Sequence, residues 1–187
     1  NKIILLAAFI ILVFSALIAL YIIPTVNNII ETRTITKLTQ LTDLPYMELQ
    51  RQYEFYQSGD KTEDEALEDA LAAIRYFRYS EVEYFWVNTY DGLMLMHPTA
   101  PQLEDTVVIN LQDPDGKYFF KEMVDKVNAD GEGVVSYQWP KPGKEMPQPK
   151  ISYVKGFAPW KIIVGTGVYV DDLKEIQRDI YSKVLII

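Results

Sequence analysis

An almost unbroken apolar run, Ile3 to Ile23, sets the beginning of this chain apart from the remainder. Only Ser15 and Tyr21 interrupt it, and a helix of about 20 apolar residues is long enough to cross the hydrocarbon core of a bilayer. A cleaved signal peptide is the alternative. Its apolar region is normally about 7 to 15 residues long and ends in a small-residue cleavage site, which the residues before Pro24 lack. We therefore expect a membrane-spanning helix.

A second apolar segment lies at the other end, where Val184-Leu185-Ile186-Ile187 follows Lys183. This segment resembles the first turn of another membrane helix. Two spans would make the residues between them a domain outside the cytoplasm, although the charges near the spans do not settle the orientation. Both terminal helices are then expected to contact membrane lipid.

The residues between the two apolar segments have the composition of a folded, acidic domain. The formal net charge of the chain is -8, which argues against nucleic acid as a partner, because phosphate binding needs a basic face. The 13 tyrosines argue against disorder. The absence of cysteine excludes disulfides, thiolate metal sites and a cysteine nucleophile, but it leaves the compartment open.

Apolar residues recur at roughly helical spacing from Pro24 to Thr42. They predict an amphipathic stalk that either pairs with its twin in a homodimer or lies on its own domain. Pro45 is expected to break or kink this helix, which then resumes to Tyr56. Thr62, with Glu65 three residues on, fits a capping box for the next helix. The further helices are expected over Glu63–Arg78, over Lys117–Val127 and from Asp171 onwards.

Two apolar runs on either side of Asp91-Gly92 predict a β-hairpin. The first run, Tyr84–Asn88, has the composition of a half-buried strand, and glycine accepts the positive φ of a tight turn. The second run, Leu93–Met96, leads to the only histidine, His97, and Pro98 then ends the strand. Three more strands are expected at Gly133–Trp139, Lys150–Phe157 and Trp160–Tyr169. Five strands with helices before and between them predict an α+β fold with an antiparallel sheet.

Strand alternation decides which side chains share a pocket. On the first three strands it places Tyr84 with Trp86, Met94 with Met96, and Tyr137 with Val135 and Trp139. On the fourth strand Lys150 shares one face with Ser152, and Tyr153 shares the other face with Ile151. A sheet face lined by Tyr, Trp and Met, with few cations at its edge, suits a small organic anion. Aromatic walls exclude water, tyrosine hydroxyls donate hydrogen bonds, and a Lys or Arg pairs with the carboxylate.

Several short motifs follow one another, with sensible gaps, between residues 62 and 173. They are Tyr84-Phe-Trp-Val, Asp91-Gly-x-Met94-x-Met96-His97-Pro98, Asp113-Pro-Asp-Gly116, Gly133-x-Val-Ser-Tyr137-x-Trp-Pro-Lys-Pro-Gly143, Pro149-Lys-x-Ser-Tyr153-Val and Gly165-Thr-Gly-Val-Tyr-Val-Asp-Asp172. Together they resemble the single Cache domain, the extracytoplasmic sensor of bacterial methyl-accepting chemotaxis receptors and of some sensor histidine kinases. The chain departs from the family at Glu104-Asp105-Thr106, where a glycine often follows the His-Pro loop; here acidic charge lies near the expected pocket mouth.

The resemblance implies a long N-terminal helix and a PAS-like antiparallel sheet with one ligand pocket, flanked by transmembrane helices. It also implies a receptor in the bacterial inner membrane, with its sensor in the periplasm or extracellular space and a cytoplasmic signalling module. Short monocarboxylates such as acetate, propionate, pyruvate or lactate are the ligands it implies. The predicted parts are a transmembrane helix at 1–23, a stalk and long helix at 24–57, the single Cache domain at 58–173 and a C-terminal helix entering a second span at 174–187.

The candidate ligand-binding residues are Tyr84, Trp86, Met94, His97, Tyr137, Trp139, Lys150, Tyr153 and Arg78. Lys150 is the candidate partner of the ligand carboxylate, although a lysine that starts a strand is ordinarily exposed. His97 either contacts ligand or is structural. Arg78 either reaches the pocket or caps its helix and pairs with Glu81 or Glu83. The aromatic and methionine side chains either line the pocket or fill the core.

The sequence predicts no catalytic residues, no metal site and no cofactor. With one histidine and no cysteine, the chain cannot build the usual His-based metal sites, and no serine lies in a nucleophile-elbow motif. Asp113-Pro-Asp-Gly116 resembles part of a calcium loop but lacks the remaining ligands, so we interpret it as helix capping. Two alternatives stay open: the sensor domain of a histidine kinase or cyclase, and a Cache module whose partner is a binding protein rather than a small molecule.

Overall fold

The computed structural model describes residues 2–80, 83–144 and 146–185. It begins with one long helix, in which α1 (Lys2–Leu17) and α2 (Ile23–Ser58) are joined by a π-helical turn, Ile18–Ile22. A window of 18 residues near its start has a mean hydropathy of 3.2, and none of these residues is buried. This helix is therefore long and apolar enough to cross a membrane, a criterion that a signal sequence also meets.

The break predicted at Pro45 is wrong, because α2 runs through Pro45 and ends only before Gly59, which has a left-handed φ of 83°. Proline removes one backbone hydrogen bond from the helix. Leu38 and Leu49, on either side of Pro45, are fully buried. Since most helical stability in proteins comes from packing of the apolar face, this burial holds the helix together across the missing bond.

The capping box at the start of α3 (Glu63–Tyr76) is confirmed. Thr62 Oγ1 accepts a hydrogen bond from the Glu65 backbone N–H at 3.3 Å, and the Thr62 N–H donates to Glu65 Oε2 at 2.9 Å. The helix ends two residues before the predicted Arg78, with Phe77 already in an extended conformation. Its buried face consists of Ala66, Ala70 and Ile74.

The five predicted strands form one antiparallel sheet in the order β2-β1-β5-β4-β3. One face of this sheet packs against α2 and α3, and the other packs against α4 (Phe119–Asp130). The predicted α+β class with a long N-terminal helix is therefore confirmed. The strands are β1 (Phe85–Thr89), β2 (Met94–Met96), β3 (Glu132–Pro140), β4 (Pro147–Phe157) and β5 (Ile162–Tyr169).

The prediction that Met94 and Met96 share a face is wrong. Asn88 pairs with Met94, but the preceding residue, Val87, pairs with Met96, so that Leu95 is an extra residue in β2. An extra residue of this kind is a β-bulge, and it shifts the alternation of the bulged strand by one position. Met94 accordingly packs in the cluster beside α4, and Met96 packs in the cluster beside α2 and α3.

Asp113 stabilises a turn and not a helix, which corrects the capping interpretation. Its Oδ1 accepts hydrogen bonds from the N–H groups of Asp115 and Lys117, both at 3.0 Å, and its Oδ2 accepts one from the N–H of Gln138 at 3.0 Å. The N-cap of α4 is instead Tyr118, whose side chain makes no capping bond. Burial opposes ionisation of Asp113, but the three donors prevail and lower its pKa. The turn is thereby attached to β3.

The last helix, α5 (Val170–Leu185), begins directly where β5 ends. Its first turn carries Asp171 and Asp172, which pair with Lys141 in the β3–β4 loop at 3.4 and 2.5 Å. The predicted second membrane segment falls partly outside the described residues, because Ile186 and Ile187 are not among them.

Candidate ligand-binding site

Lys150 is a buried cation on the α4 face of the sheet. It lies on β4 opposite Tyr137 of β3 and Tyr169 of β5, and only 1% of its surface is exposed. Its Nζ donates a hydrogen bond to the Tyr84 hydroxyl at 3.0 Å. The same atom lies 4.2, 4.9 and 5.6 Å from the ring centroids of Tyr84, Tyr169 and Trp86. Among the side chains that the structure describes, none forms an ion pair with Lys150.

Further aromatic rings from β3 and α4 pack together on this face of the sheet. Tyr137 stacks on Phe119 of α4, with ring centroids 4.4 Å apart and planes at 3°, and its hydroxyl lies 3.1 Å from Ser152 Oγ. Trp139 makes an edge contact with Phe119 at 5.6 Å. Burial is the main cause that raises the pKa of the Tyr137 hydroxyl, so the group stays neutral. The site therefore offers uncharged hydroxyls around one cation.

Trp86 can lie flat on the sheet because the residue beneath it, Gly165 of β5, has no side chain. The two residues are register partners in the β1–β5 pair. A Cβ atom added at Gly165 would overlap atoms of the Trp86 six-membered ring. The indole N–H of Trp86 donates to Asn88 Oδ1 at 3.1 Å, which fixes the orientation of the ring. Glycine in the interior of a strand marks such close approaches.

His97 is buried beside the same rings, with 2% of its surface exposed. Its ring centroid lies 5.0 Å from that of Tyr84 and 5.8 Å from that of Trp139. Burial, and after it the nearby charge of Lys150, lowers the pKa of His97 to about 3, so the imidazole is neutral near pH 7. Its buried Nδ1 has no hydrogen-bond partner among the described residues. A buried polar atom without a partner is a place where a ligand group can bind.

Glu104 holds the His97-Pro98 turn in place. Its Oε1 accepts a hydrogen bond from the His97 backbone N–H at 2.7 Å, and its Oε2 accepts one from Arg75 of α3 at 2.8 Å. The hydrogen bond from Arg75 is the main reason why the pKa of Glu104 is lowered. The acidic residue that the sequence placed near the pocket mouth is thus neutralised by a cation and positions the histidine.

We expect Glu104→Ala to lower the free energy of unfolding by about 1–2 kcal/mol, because it removes a charged acceptor from two donors. Chemical denaturation of the variant beside Glu68→Ala, an exposed change on α3, measures this effect. Equal midpoints for the two variants would contradict the positioning role of Glu104.

Two predicted site residues lie away from Lys150. Tyr153 is on the α2 face of β4, as is Lys155, whose Nζ pairs with Asp43 of α2 at 2.7 Å. Arg78 is exposed, and its Nη1 donates to the backbone oxygens of Arg75 and Phe77 at the end of α3. The other seven predicted residues are buried or half-buried on the α4 side of the sheet. They are Tyr84, Trp86, Met94, His97, Tyr137, Trp139 and Lys150.

Three residues near Lys150 were not predicted from the sequence. Tyr169 could have been found, because it follows Gly167 by two residues on the fifth strand and therefore shares a face with it. Phe119 is on the inner face of a predicted helix, and sequence alone does not show against which strands that helix packs. Glu83 precedes the first predicted strand, and nothing in its sequence neighbourhood distinguishes it from a surface acid. In the described part of the chain, no group of three or more His, Cys, Asp or Glu side chains is arranged to hold a metal ion.

A long helix across a five-stranded antiparallel sheet, with a buried cation on the opposite face, defines a PAS-like sensor fold. A family model for Single Cache domain 2 matches residues 30–183. The chain belongs to this family of sensor domains.

Two curated relatives are receptors. The methyl-accepting chemotaxis protein McpP of Pseudomonas putida is 42% identical over 117 residues, which are 63% of this chain and 22% of that protein. The sensor histidine kinase MctS of Rhizobium johnstonii is 32% identical over 148 residues, 79% of this chain and 31% of that protein. The chain thus spans less than a third of the length of these relatives.

Two solved structures match nearly their whole length. A periplasmic sensor domain of a chemotaxis protein is 42% identical with a TM-score of 0.72, covering 75% of this chain and 96% of that one. A Cache chemosensory domain described for its recognition of carboxylic acids is 38% identical with a TM-score of 0.74, covering 77% and 97%. Sensor domains of this kind are the periplasmic parts of membrane chemoreceptors.

Proposed function

We propose that this chain is the ligand-binding part of a transmembrane chemoreceptor in the bacterial inner membrane, and that it binds a short monocarboxylate, such as acetate, propionate, pyruvate or lactate, at Lys150. The observation that carries the proposal is the buried ammonium group without an ion-pair partner among the described side chains. A buried charge costs several kcal/mol unless it is paired. A ligand carboxylate would supply the missing partner.

The groups around Lys150 suit the remainder of such a ligand. The rings of Tyr84, Trp86 and Trp139 would cover a short alkyl chain, and the unpartnered Nδ1 of the neutral His97 could hydrogen-bond to a carboxyl, keto or hydroxyl oxygen. The likeness to a Cache domain described for carboxylic acid recognition supports this ligand class. Tyr153 and Arg78 are not part of the proposed site, because they lie away from Lys150.

Ligand binding would reach the membrane through β5 and α5. Lys150 lies over the ring of Tyr169, whose hydroxyl donates to the Pro140 carbonyl at 2.8 Å. The loop after Pro140 is in turn paired with Asp171 and Asp172 at the start of α5. If these contacts have two arrangements in equilibrium, a ligand shifts that equilibrium only by the difference between its affinities for the two arrangements. A chemotaxis module is the first candidate for the cytoplasmic output, and the likeness to MctS supports a histidine kinase as the second.

Thermal unfolding of the whole chain in lipid nanodiscs tests the proposed ligand class. A ligand present at a hundred times its dissociation constant stabilises the native state by about 2.7 kcal/mol, which gives a clear shift in Tm. We expect shifts with acetate, propionate, pyruvate or lactate and none with chloride or with uncharged amides of the same acids. A shift with the amides equal to that with the acids would contradict a site built on Lys150.

A further inference from the structure

Glu83 is a second buried charge next to the proposed site. It directly precedes Tyr84, whose hydroxyl accepts the hydrogen bond from Lys150, and only 5% of its surface is exposed. Its Oε2 is buried and has no hydrogen-bond partner among the described residues.

Charged groups of both signs from four parts of the chain act on Glu83. Lys150 of β4, Lys141 of the β3–β4 loop and Lys37 of α2 favour its ionised form, and Asp172 of α5 opposes it. The hydroxyls of Tyr79, Tyr137 and Tyr169 are also within reach of its charge. Burial is the largest influence and raises the pKa of Glu83 to about 7, so that a proton binds or leaves near neutral pH.

We propose that Glu83 couples binding at the Lys150 site to a proton: a ligand carboxylate binds to Lys150 when the Glu83 carboxyl takes up a proton from solvent. This inference rests on the proposed function. Without ligand, an ionised Glu83 balances part of the charge of Lys150. When a ligand brings a second anion into the same low-dielectric space, the two negative charges repel each other, and protonation of Glu83 leaves one anion beside one cation.

Among the described groups that act on the site, Glu83 is the one with a pKa between pH 6 and 8. The pKa of His97 lies far below this window, and burial raises those of Tyr79 and Tyr169 well above it. Lys141 is held in its charged form by Asp172 and Asp171, although burial opposes this. The ligand carboxylate itself is fully ionised throughout. A pH dependence of binding in this window therefore reports on Glu83.

The test is calorimetric titration of the whole chain in nanodiscs with propionate at pH 6 and at pH 8. For the unaltered chain we expect an affinity for propionate about tenfold lower at pH 8 than at pH 6, since binding competes with loss of one proton at a pKa of about 7. Titrations in two buffers of different ionisation enthalpy should show uptake of about one proton at pH 8.

The variant Glu83→Gln keeps the shape of the side chain and removes its charge. We expect its affinity for propionate to change less than about twofold between pH 6 and 8, without the proton uptake of the unaltered chain at pH 8. Glu175→Gln, an exposed change on α5 that removes the same charge, should behave as the unaltered chain.

Equal affinities for propionate at the two pH values without proton uptake would overturn the role of Glu83 and leave the carboxylate site intact. An affinity of Glu83→Gln for propionate that still falls about tenfold from pH 6 to pH 8 would also overturn it. Failure of acetate, propionate, pyruvate and lactate to bind to either protein at either pH would remove the carboxylate site itself, and the proton-linked binding with it.

The protein without ligand gives an independent readout. Because the pKa of Glu83 is raised above its value in the unfolded chain, the native state binds the extra proton between about pH 5 and pH 7, and stability falls as the pH rises through that range. Glu83→Gln should therefore have a higher Tm than the unaltered chain at pH 8 and nearly the same Tm at pH 5. The same difference in Tm at both pH values would overturn the assignment.

Discussion

Lys150→Met should lose carboxylate binding while the domain stays folded. Methionine replaces the buried stem of the lysine with a side chain of similar length, so the packing against Tyr84 and Tyr169 is kept and the cation is removed. Truncating one partner of a buried, hydrogen-bonded charge pair typically costs about 2–5 kcal/mol, which corresponds to a loss of affinity of more than about 30-fold. Calorimetric titration with propionate at pH 6 measures the loss.

Lys155→Met is the matched control for this variant. Lys155 lies on the same strand but faces α2, where it pairs with Asp43 at 2.7 Å. We expect the control to bind propionate as the unaltered chain does and to lose no more than about 1 kcal/mol of stability, since the pair is partly exposed. Lys150→Met should stay folded at pH 6, where Glu83 is mostly protonated and the variant leaves no ionised carboxylate without its cation. Undiminished propionate binding in Lys150→Met would take Lys150 out of the site.

Gly165→Ala should destabilise the domain by about 1–3 kcal/mol, because the new methyl group and the ring of Trp86 cannot occupy the same space. The ring is held between the sheet and Phe120, with which it makes an edge contact at 6.5 Å, so it cannot move away freely. Denaturant unfolding of the single variant gives the loss of stability, and propionate titration should show weakened binding, because Trp86 lines the site.

A double-mutant cycle separates this clash from a general effect of alanine in a strand. Trp86→Phe reduces the ring above position 165, so the combination of Gly165→Ala and Trp86→Phe should cost less than the sum of the two single changes. Additive losses would show that Gly165 is required by the backbone of β5 and not by the indole.

Strand alternation predicted the centre of the site because most strands in this sheet are regular. Tyr84 and Trp86, Tyr137 and Trp139, and Lys150 fall on one face when alternate residues are followed. The same rule places Tyr153 on the opposite face from Lys150, so the pattern already argued against this candidate. Its inclusion came from the motif and not from the geometry.

The remaining differences arise where local rules compete with packing. The bulge at Leu95 reverses the alternation of β2. The composition of Met94–Met96 does not predict this extra residue. Pro45 is a strong local breaker that the burial of Leu38 and Leu49 overcomes. The pKa of Glu83 is raised by burial and modified by charged groups from α2, β4 and α5 that are far from it in sequence. Long-range contacts of this kind are not encoded in any short segment.

The direct passage from β5 to α5 has a mechanical consequence. Tyr169 ends the strand and Val170 begins the helix, so no loop residue lies between the central strand of the sheet and α5. β5 is hydrogen-bonded to β1 on one side and to β4, which carries Lys150, on the other. Because no flexible loop separates them, we expect a displacement or rotation of β5 beneath the aromatic site to move the first turn of α5 with it.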